Sequence, residues 1–243
     1  YYHIIIYIYI YIIMIILLRG DICRGCSIDI QTRAYESIIT HVIKPLNLKC
    51  NDINVIIVTY TNKYEKIVKD IFKDYNFFYF IINRKGQVEN YINALNKIPE
   101  FLINETNNLL ILRSDLYFKQ DIDYSRISKD KILTQWNLLH QKSTGEIADQ
   151  IQFIGANLIH DFINKINTIK IDTKWGGSLH NFYNYVILYF GKEKISYLNY
   201  IKDPTPNNDR CEIRGNPRGR FKPHSSYKNE LGNPLFNYTR YET

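Results

Sequence analysis

Apolar positions along this chain come in short, nearly continuous runs, and polar stretches with a helical period separate them. Residues 12–18 (IIMIILL), 53–60 (INVIIVTY), 77–82 (FFYFII) and 109–112 (LLIL) are such runs. They are rich in β-branched and aromatic side chains, which predicts strands buried on both faces. Between them the apolar residues recur at helical spacing. Ile30, Ala34, Ile38 and Val42 mark a helix over residues 30–46, with Pro45 near its end. Ile67, Val68, Ile71 and Phe72 form one face of residues 62–74, and a third helix opens at Gly86 and runs to Leu95. Strands that alternate with helices over short connections predict an α/β fold. It is Rossmann-like, with a mostly parallel central sheet, flanking helices and right-handed crossovers.

After Phe118 the alternation stops. Residues 131–139 read as a further strand, residues 149–156 as another apolar stretch, and residues 157–166 and 180–190 as helices. Trp175-Gly-Gly-Ser178 is a loop between them, and from Asp203 onward Pro, Gly and Asn predict a loop or lid. No internal repeat is present. A chain of 243 residues supports one sizeable core, so residues 1–243 are expected to form a single domain with an irregular C-terminal segment.

Residues 1–18 are almost entirely apolar, and Arg19 follows them. That length reaches the lower limit of a membrane-spanning helix. Abundant Ile, alternating with Tyr, favours a strand instead. Residues 12–18 are therefore expected to be the first core strand, and residues 1–11 to extend it or to be the remnant of an anchor that touches a membrane. The chain opens without Met, so sequence upstream of the run is part of the second reading. A basic leading region and a small-residue cleavage site are lacking, so no cleavable signal peptide is expected. The location would be cytoplasmic or membrane-associated.

Composition changes this picture little. Ile, Asn, Lys, Tyr and Phe are abundant while Gly and Pro are sparse, a bias that suits an AT-rich genome. The many Tyr and Lys are for that reason discounted as signs of nucleic-acid binding. A net charge of +7 favours anionic partners such as nucleotides, phosphates or membrane surfaces. Cys23 and Cys26 form a C-x-x-C, but Cys50 and Cys211 are not the second pair that a zinc site needs. Reduced thiols in a loop are expected.

The fourth run ends abruptly in Arg113-Ser114-Asp115 before turning apolar again. Open α/β sheets bind ligands at the carboxyl ends of their strands, and a carboxylate placed there is costly without a cationic partner. Asp115 is thus a candidate for a metal or a sugar hydroxyl, and Arg113 for an anion or a structural ion pair. The alternative is that both simply close the strand at the surface. The G-x-G-x-x-G fingerprint and the phosphate loop G-x-x-x-x-G-K-S/T are absent, which disfavours a plain dehydrogenase and a P-loop enzyme.

The order of these motifs resembles that of GT-A-type nucleotide-sugar glycosyltransferases, in particular a group of small viral, bacterial and algal ones. The resemblance spans roughly residues 12–200. It is carried by Leu18-Arg19-Gly20 with Arg24 beyond it, Gly86-Gln87 with Asn90, Arg113-Ser114-Asp115-Leu116, and Asp149-Gln150 with Phe153 and Gly155. It implies transfer of a sugar from a nucleotide-diphosphate donor to a hydroxyl of a carbohydrate or glycoconjugate acceptor. Arg19, Gly20, Arg24, Gln87, Asn90, Arg113 and Asp115 would face the donor. Guanidinium groups suit phosphate, although Arg19 and Arg24 could equally pair with Asp21 and Asp29.

Strand four of that family ends in a D-x-D motif that holds Mn²⁺ or Mg²⁺ against the diphosphate. Here the first Asp is replaced by Arg113, so metal dependence rests on Asp115, with His224 as a second ligand or an exposed tail residue. Asp149 would take the proton of the attacking hydroxyl or merely cap a helix or turn. Trp175 would stack on an acceptor sugar or belong to the core. Arg218 and Arg220, with Arg210, Arg214 and Lys222, would let the tail fold over the diphosphate as a lid; a solvated basic tail is the alternative. Two other functions compete. One is a non-catalytic, degenerate transferase fold that binds nucleic acid or a protein. The other is a nucleotidyltransferase, which needs a second convergent carboxylate.

Overall fold

Nine strands and five α-helices are built from these runs in a computed structural model that describes residues 13–23, 27–49, 52–118, 121–122, 124–125, 127–134, 151–169, 179–197 and 211–213. The strands are β1 (Ile13–Arg19), β2 (Ile53–Thr59), β3 (Asn76–Ile81), β4 (Asn107–Arg113), β5 (Leu116–Phe118), β6 (Ile132–Thr134), β7 (Ile151–Ile154), β8 (Ile195–Tyr197) and β9 (Cys211–Ile213). The helices are α1 (Ile28–Ile38), α2 (Glu65–Ile71), α3 (Gln87–Leu95), α4 (Ile159–Thr168) and α5 (Leu179–Leu188).

Seven strands form one sheet in the order β3-β2-β1-β4-β7-β6-β8. β1, β2, β3 and β4 are mutually parallel, as the alternating pattern predicts. β7 runs antiparallel to both β4 and β6, so the sheet is mixed. Alternate side chains of each strand enter opposite layers. Ile15, Leu17, Leu109 and Ile111 pack with α3, α4 and α5. Met14, Ile16, Leu18, Leu110 and Leu112 pack in the layer of α1 and α2. Residues 14–18 of β1 are at most 1% exposed, so both faces of this strand are core.

The differences from expectation have local causes. The helix expected over residues 30–46 is regular only to Ile38; Ile39–Ile43 widens into a π-turn and Lys44–Leu46 tightens into a 3₁₀ turn. Pro45 has no N–H to give the His41 carbonyl, and the Ile122 N–H fills that place at 2.9 Å. Asn47, left-handed at φ 52°, ends the segment. α2 starts at Glu65 rather than near residue 62, because Asn62 makes a local turn. Its Oδ1 accepts from the Tyr64 N–H at 2.8 Å, and its amide donates to the Tyr60 carbonyl at 2.7 Å. α3 begins as expected, with the Glu89 carboxylate accepting from the Gly86 N–H at 3.3 Å.

The tail expected as a loop supplies a strand: β9 pairs antiparallel with β5, Ile213 opposite Leu116. β6 ends at Thr134, and residues 135–139 of its expected range are outside the described ones, as are residues 1–12 and most of 203–243. Among the described residues, no helix is long and apolar enough to cross a membrane.

Candidate functional site

The chain leaves β1, builds β2 and β3 on one side of it, and then returns to place β4 on the other. The gap between the carboxyl ends of β1 and β4 is therefore the topological switch point, where a crevice opens in sheets of this kind. Arg19 and Arg113 are the residues that arrive there, directly opposite each other in the parallel register. Arg19 shares the strand face of Ile15 and Leu17, and Arg113 that of Leu109 and Ile111, so both arginines stand on the α3 side of the sheet.

The two turns beyond these strands are locked together. Gly20, at φ +120°, donates its N–H to the Val58 carbonyl at 3.1 Å. A Cβ at Gly20 would lie 3.1 Å from Ser114 Oγ in a backbone conformation that L-residues rarely adopt. The Ser114 N–H donates to the Arg19 carbonyl at 2.8 Å, and Ser114 Oγ donates to the Asp21 carbonyl at 3.1 Å. Gln31, buried on α1, braces both turns. Its Nε2 donates to the Ser114 carbonyl at 2.6 Å, and its Oε1 accepts from the Cys23 N–H at 3.1 Å. Gln31 and Ser114 were not among the expected site residues. The only signal was a polar residue on the apolar face of a helix.

Arg113 grips Asp115 as a fork, with Nε to Oδ1 at 3.0 Å and Nη2 to Oδ2 at 2.6 Å. The two side chains are 18% and 8% exposed, so the pair is largely withdrawn from water. Of the two roles open to Arg113, the ion pair is present. Arg19 lies with its guanidinium carbon 5.0 Å over the Tyr91 ring of α3. The Tyr91 hydroxyl donates to Gln152 Oε1 on β7 at 2.6 Å. At the rim, Arg84 pairs with Asp21 and stacks 4.4 Å from the Tyr60 ring centroid.

Gln87 is the exposed first residue of α3. Asn90 holds the loop before that helix: its Oδ1 accepts from the Lys85 N–H and its Nδ2 donates to the Lys85 carbonyl, both at 2.9 Å. Arg19, Gly20, Arg113 and Asp115 are thus brought together at the carboxyl ends of β1 and β4, while Gln87 and Asn90 stand at the start of α3, which packs beside β1. Arg24, Asp149, Arg218, Arg220, His224 and Trp175 are outside the described residues.

Among the described residues, the two carboxylates beside the ends of β1 and β4 are already paired with arginines. Both Asp115 oxygens already receive Arg113 donors, and Asp21 is paired with Arg84. Among the described residues, no group of three His, Cys, Asp or Glu side chains is placed to hold a metal.

Next to Arg19, burial holds the Tyr183 hydroxyl well above the usual tyrosine range; Tyr91 pushes the same way and the Arg19 guanidinium opposes it. Burial also raises Tyr124 and Tyr79. Unfolded tyrosines ionise near pH 10. A folded pKa raised above that value means stability that is full below about pH 10 and lost as the pH climbs past it. The melting temperature should fall above about pH 10, and less steeply in Tyr183→Phe; equal slopes would show that Tyr183 does not contribute.

Comparison with known proteins defines the class of the fold. Neither a family model nor a curated protein sequence matches the chain. Solved structures do match it. The nucleoside-diphosphate-sugar pyrophosphorylase from Vibrio cholerae RC9 superposes with a TM-score of 0.52 at 10% identity, covering 84% of this chain and 96% of that one. The apo-form glycosyltransferase GlyE of Streptococcus pneumoniae TIGR4 gives 0.49 at 12% identity, covering 77% of this chain and 45% of that one. The 4-diphosphocytidyl-2C-methyl-D-erythritolsynthase of Anaerococcus prevotii DSM 20548 gives 0.43 at 12% identity, over 81% and 94%. The chain thus spans less than half the length of the glycosyltransferase it matches. At these identities the likeness is one of fold. The fold is α/β and Rossmann-like, as the alternation of strands and helices implies, and it is shared with the Vibrio cholerae structure.

Proposed function

We propose that this protein is a glycosyltransferase that binds a nucleotide-sugar at the β1/β4 crevice and passes the sugar to an acceptor hydroxyl. The observation that carries the reading is the register match of Arg19 with Arg113 at the topological switch point, on one face of the sheet. Two guanidinium groups brought there by adjacent strands suit the diphosphate of such a donor. Gly20 lets the backbone turn away from β1 and leaves room beside Ser114. Gln87 and Asn90 open the helix at the same end of the sheet. The Vibrio cholerae neighbour is a nucleoside-diphosphate-sugar pyrophosphorylase, which supports a donor of that class.

The remaining roles follow from sequence position. β7 starts at Ile151, opposite Leu112 and next to the end of β4 that carries Arg113; Asp149 precedes that start by two residues and is the proposed base for the attacking hydroxyl. β9 pairs beside β5, immediately after Asp115, and the basic tail with Arg218 and Arg220 follows β9 in sequence. Those arginines and Arg24 are proposed to add charge against the leaving diphosphate.

The fold is shared with a pyrophosphorylase, so nucleotidyl transfer is the second reading. It requires paired metal-binding carboxylates, and among the described residues Asp115 and Asp21 are each committed to an arginine. A screen of UDP-, GDP- and CDP-sugars separates the two. Glycosyl transfer should release the nucleoside diphosphate, and the same nucleotides should raise the melting temperature. Release of pyrophosphate from a nucleoside triphosphate and a sugar phosphate would favour nucleotidyl transfer instead. Strongly salt-dependent oligonucleotide binding, with no nucleotide-sugar turnover, would point to a degenerate fold that binds nucleic acid.

A further inference from the structure

We infer that the donor diphosphate is held at this crevice by arginine charge, with no divalent metal bridging it to Asp115, and that Asp115 is a positioning residue for Arg113. The inference rests on the nucleotide-sugar reading above and concerns how that site takes its anion.

Mg²⁺ demands oxygens at about 2.0–2.1 Å in near-octahedral array, and a carboxylate supplies its first anchor. At the β1/β4 crevice the anchoring carboxylate is already engaged on both oxygens by one planar cation, at 3.0 and 2.6 Å. An ion bound to either oxygen would sit against the Arg113 guanidinium in a setting only 8% open to water at Asp115, where repulsion between cations is poorly screened. The second carboxylate of the rim, Asp21, is held by Arg84. Among the described rim residues, Arg19, Arg84 and Arg113 face two carboxylates, so the rim is net positive before any ligand arrives. A divalent-cation site is built the other way, with an excess of negative oxygens. An excess of guanidinium attracts the diphosphate directly.

Asp115 then has a different use. Arg113 stands at the end of a buried strand, and an arginine there needs a counter-charge to keep a fixed direction. The fork aims the guanidinium plane, and Gln31 and Ser114 fix the turn that carries Asp115.

The test measures melting temperature with UDP, GDP and CDP, in EDTA and in Mn²⁺, and in parallel the free-Mn²⁺ electron paramagnetic resonance signal as protein is added. The expected result is a nucleotide shift of the same size in both buffers and no loss of the free-Mn²⁺ signal. Arg113→Lys, which keeps the charge but not the fork, should lose that shift, and Asp115→Asn should reduce it equally in EDTA and in Mn²⁺. A shift that appears only with Mn²⁺, or that Asp115→Asn reduces only with Mn²⁺, overturns the inference and leaves the nucleotide-sugar reading standing. No shift with any nucleotide in either buffer ends that reading and this inference with it.

Discussion

Arg113→Leu is expected to cost about 3–5 kcal/mol of folding stability, because it leaves the Asp115 carboxylate buried without its partner. The fork is made by one side chain alone, and Asp115 is too enclosed for water to replace two donors. The double variant Arg113→Leu/Asp115→Leu should recover most of that loss, since a buried pair exchanged for apolar groups of similar size is often neutral or better. Nucleotide binding should not recover. Chemical denaturation of the two single variants and the double variant gives the coupling directly. If the double variant is as unstable as Arg113→Leu, the pair is not the source of the cost. If the double variant still binds nucleotide as the parent does, Arg113 is not part of the donor site.

Gly155→Ala should be comparably damaging, for a reason far from any charge. A Cβ there would lie 2.3 Å from the Lys129 carbonyl oxygen and 2.4 Å from that of Ser128. These are backbone atoms, and the Gly155 N–H is itself tied to the Lys131 carbonyl at 2.9 Å, so neither segment can shift cheaply. Overpacking of this kind costs about 3 kcal/mol at the upper end of the usual range, and more where backbone must move. Gly155 directly follows β7, so the damage falls on the antiparallel strand that brings Gln152 under Tyr91. Thermal denaturation should show a large drop in melting temperature; a drop of only about a degree or two would mean that the 128–131 segment yields easily.

The parallel half of the sheet was legible because buried parallel strands read as unbroken apolar runs, and residues 12–18, 53–60, 77–82 and 109–112 are such runs. The antiparallel direction of β7 was not, since an apolar run carries no mark of orientation. Nor was β9: a short strand whose pairing partner lies far away in sequence has no local signature. The end of α1 was hinted at by Pro45, but the group that takes the place of its missing N–H, the Ile122 N–H on the His41 carbonyl, is a tertiary contact with no mark in the helix's own sequence.

At the site, Arg113 and Asp115 stood out as charge closing an apolar run, and the ion pair was one of the two roles foreseen for Arg113. The register that sets Arg19 opposite Arg113 could not be read, because register is decided between strands, not within one. Asn90 was read as a donor-facing residue, and its amide braces the Lys85 peptide; an Asn near a helix start fits both uses equally well in sequence. Gln31 was missed because one polar residue on an apolar helix face has no spacing to betray its partner.

Every role assigned to these residues depends on a nucleoside diphosphate settling at the carboxyl ends of β1 and β4. Amide hydrogen exchange of the whole protein, with and without saturating UDP or GDP, tests this most directly. Slowed exchange is expected at residues 19–21 and 113–116, with little change at the opposite end of the sheet. Slowed exchange elsewhere, with those two turns unaffected, would contradict it.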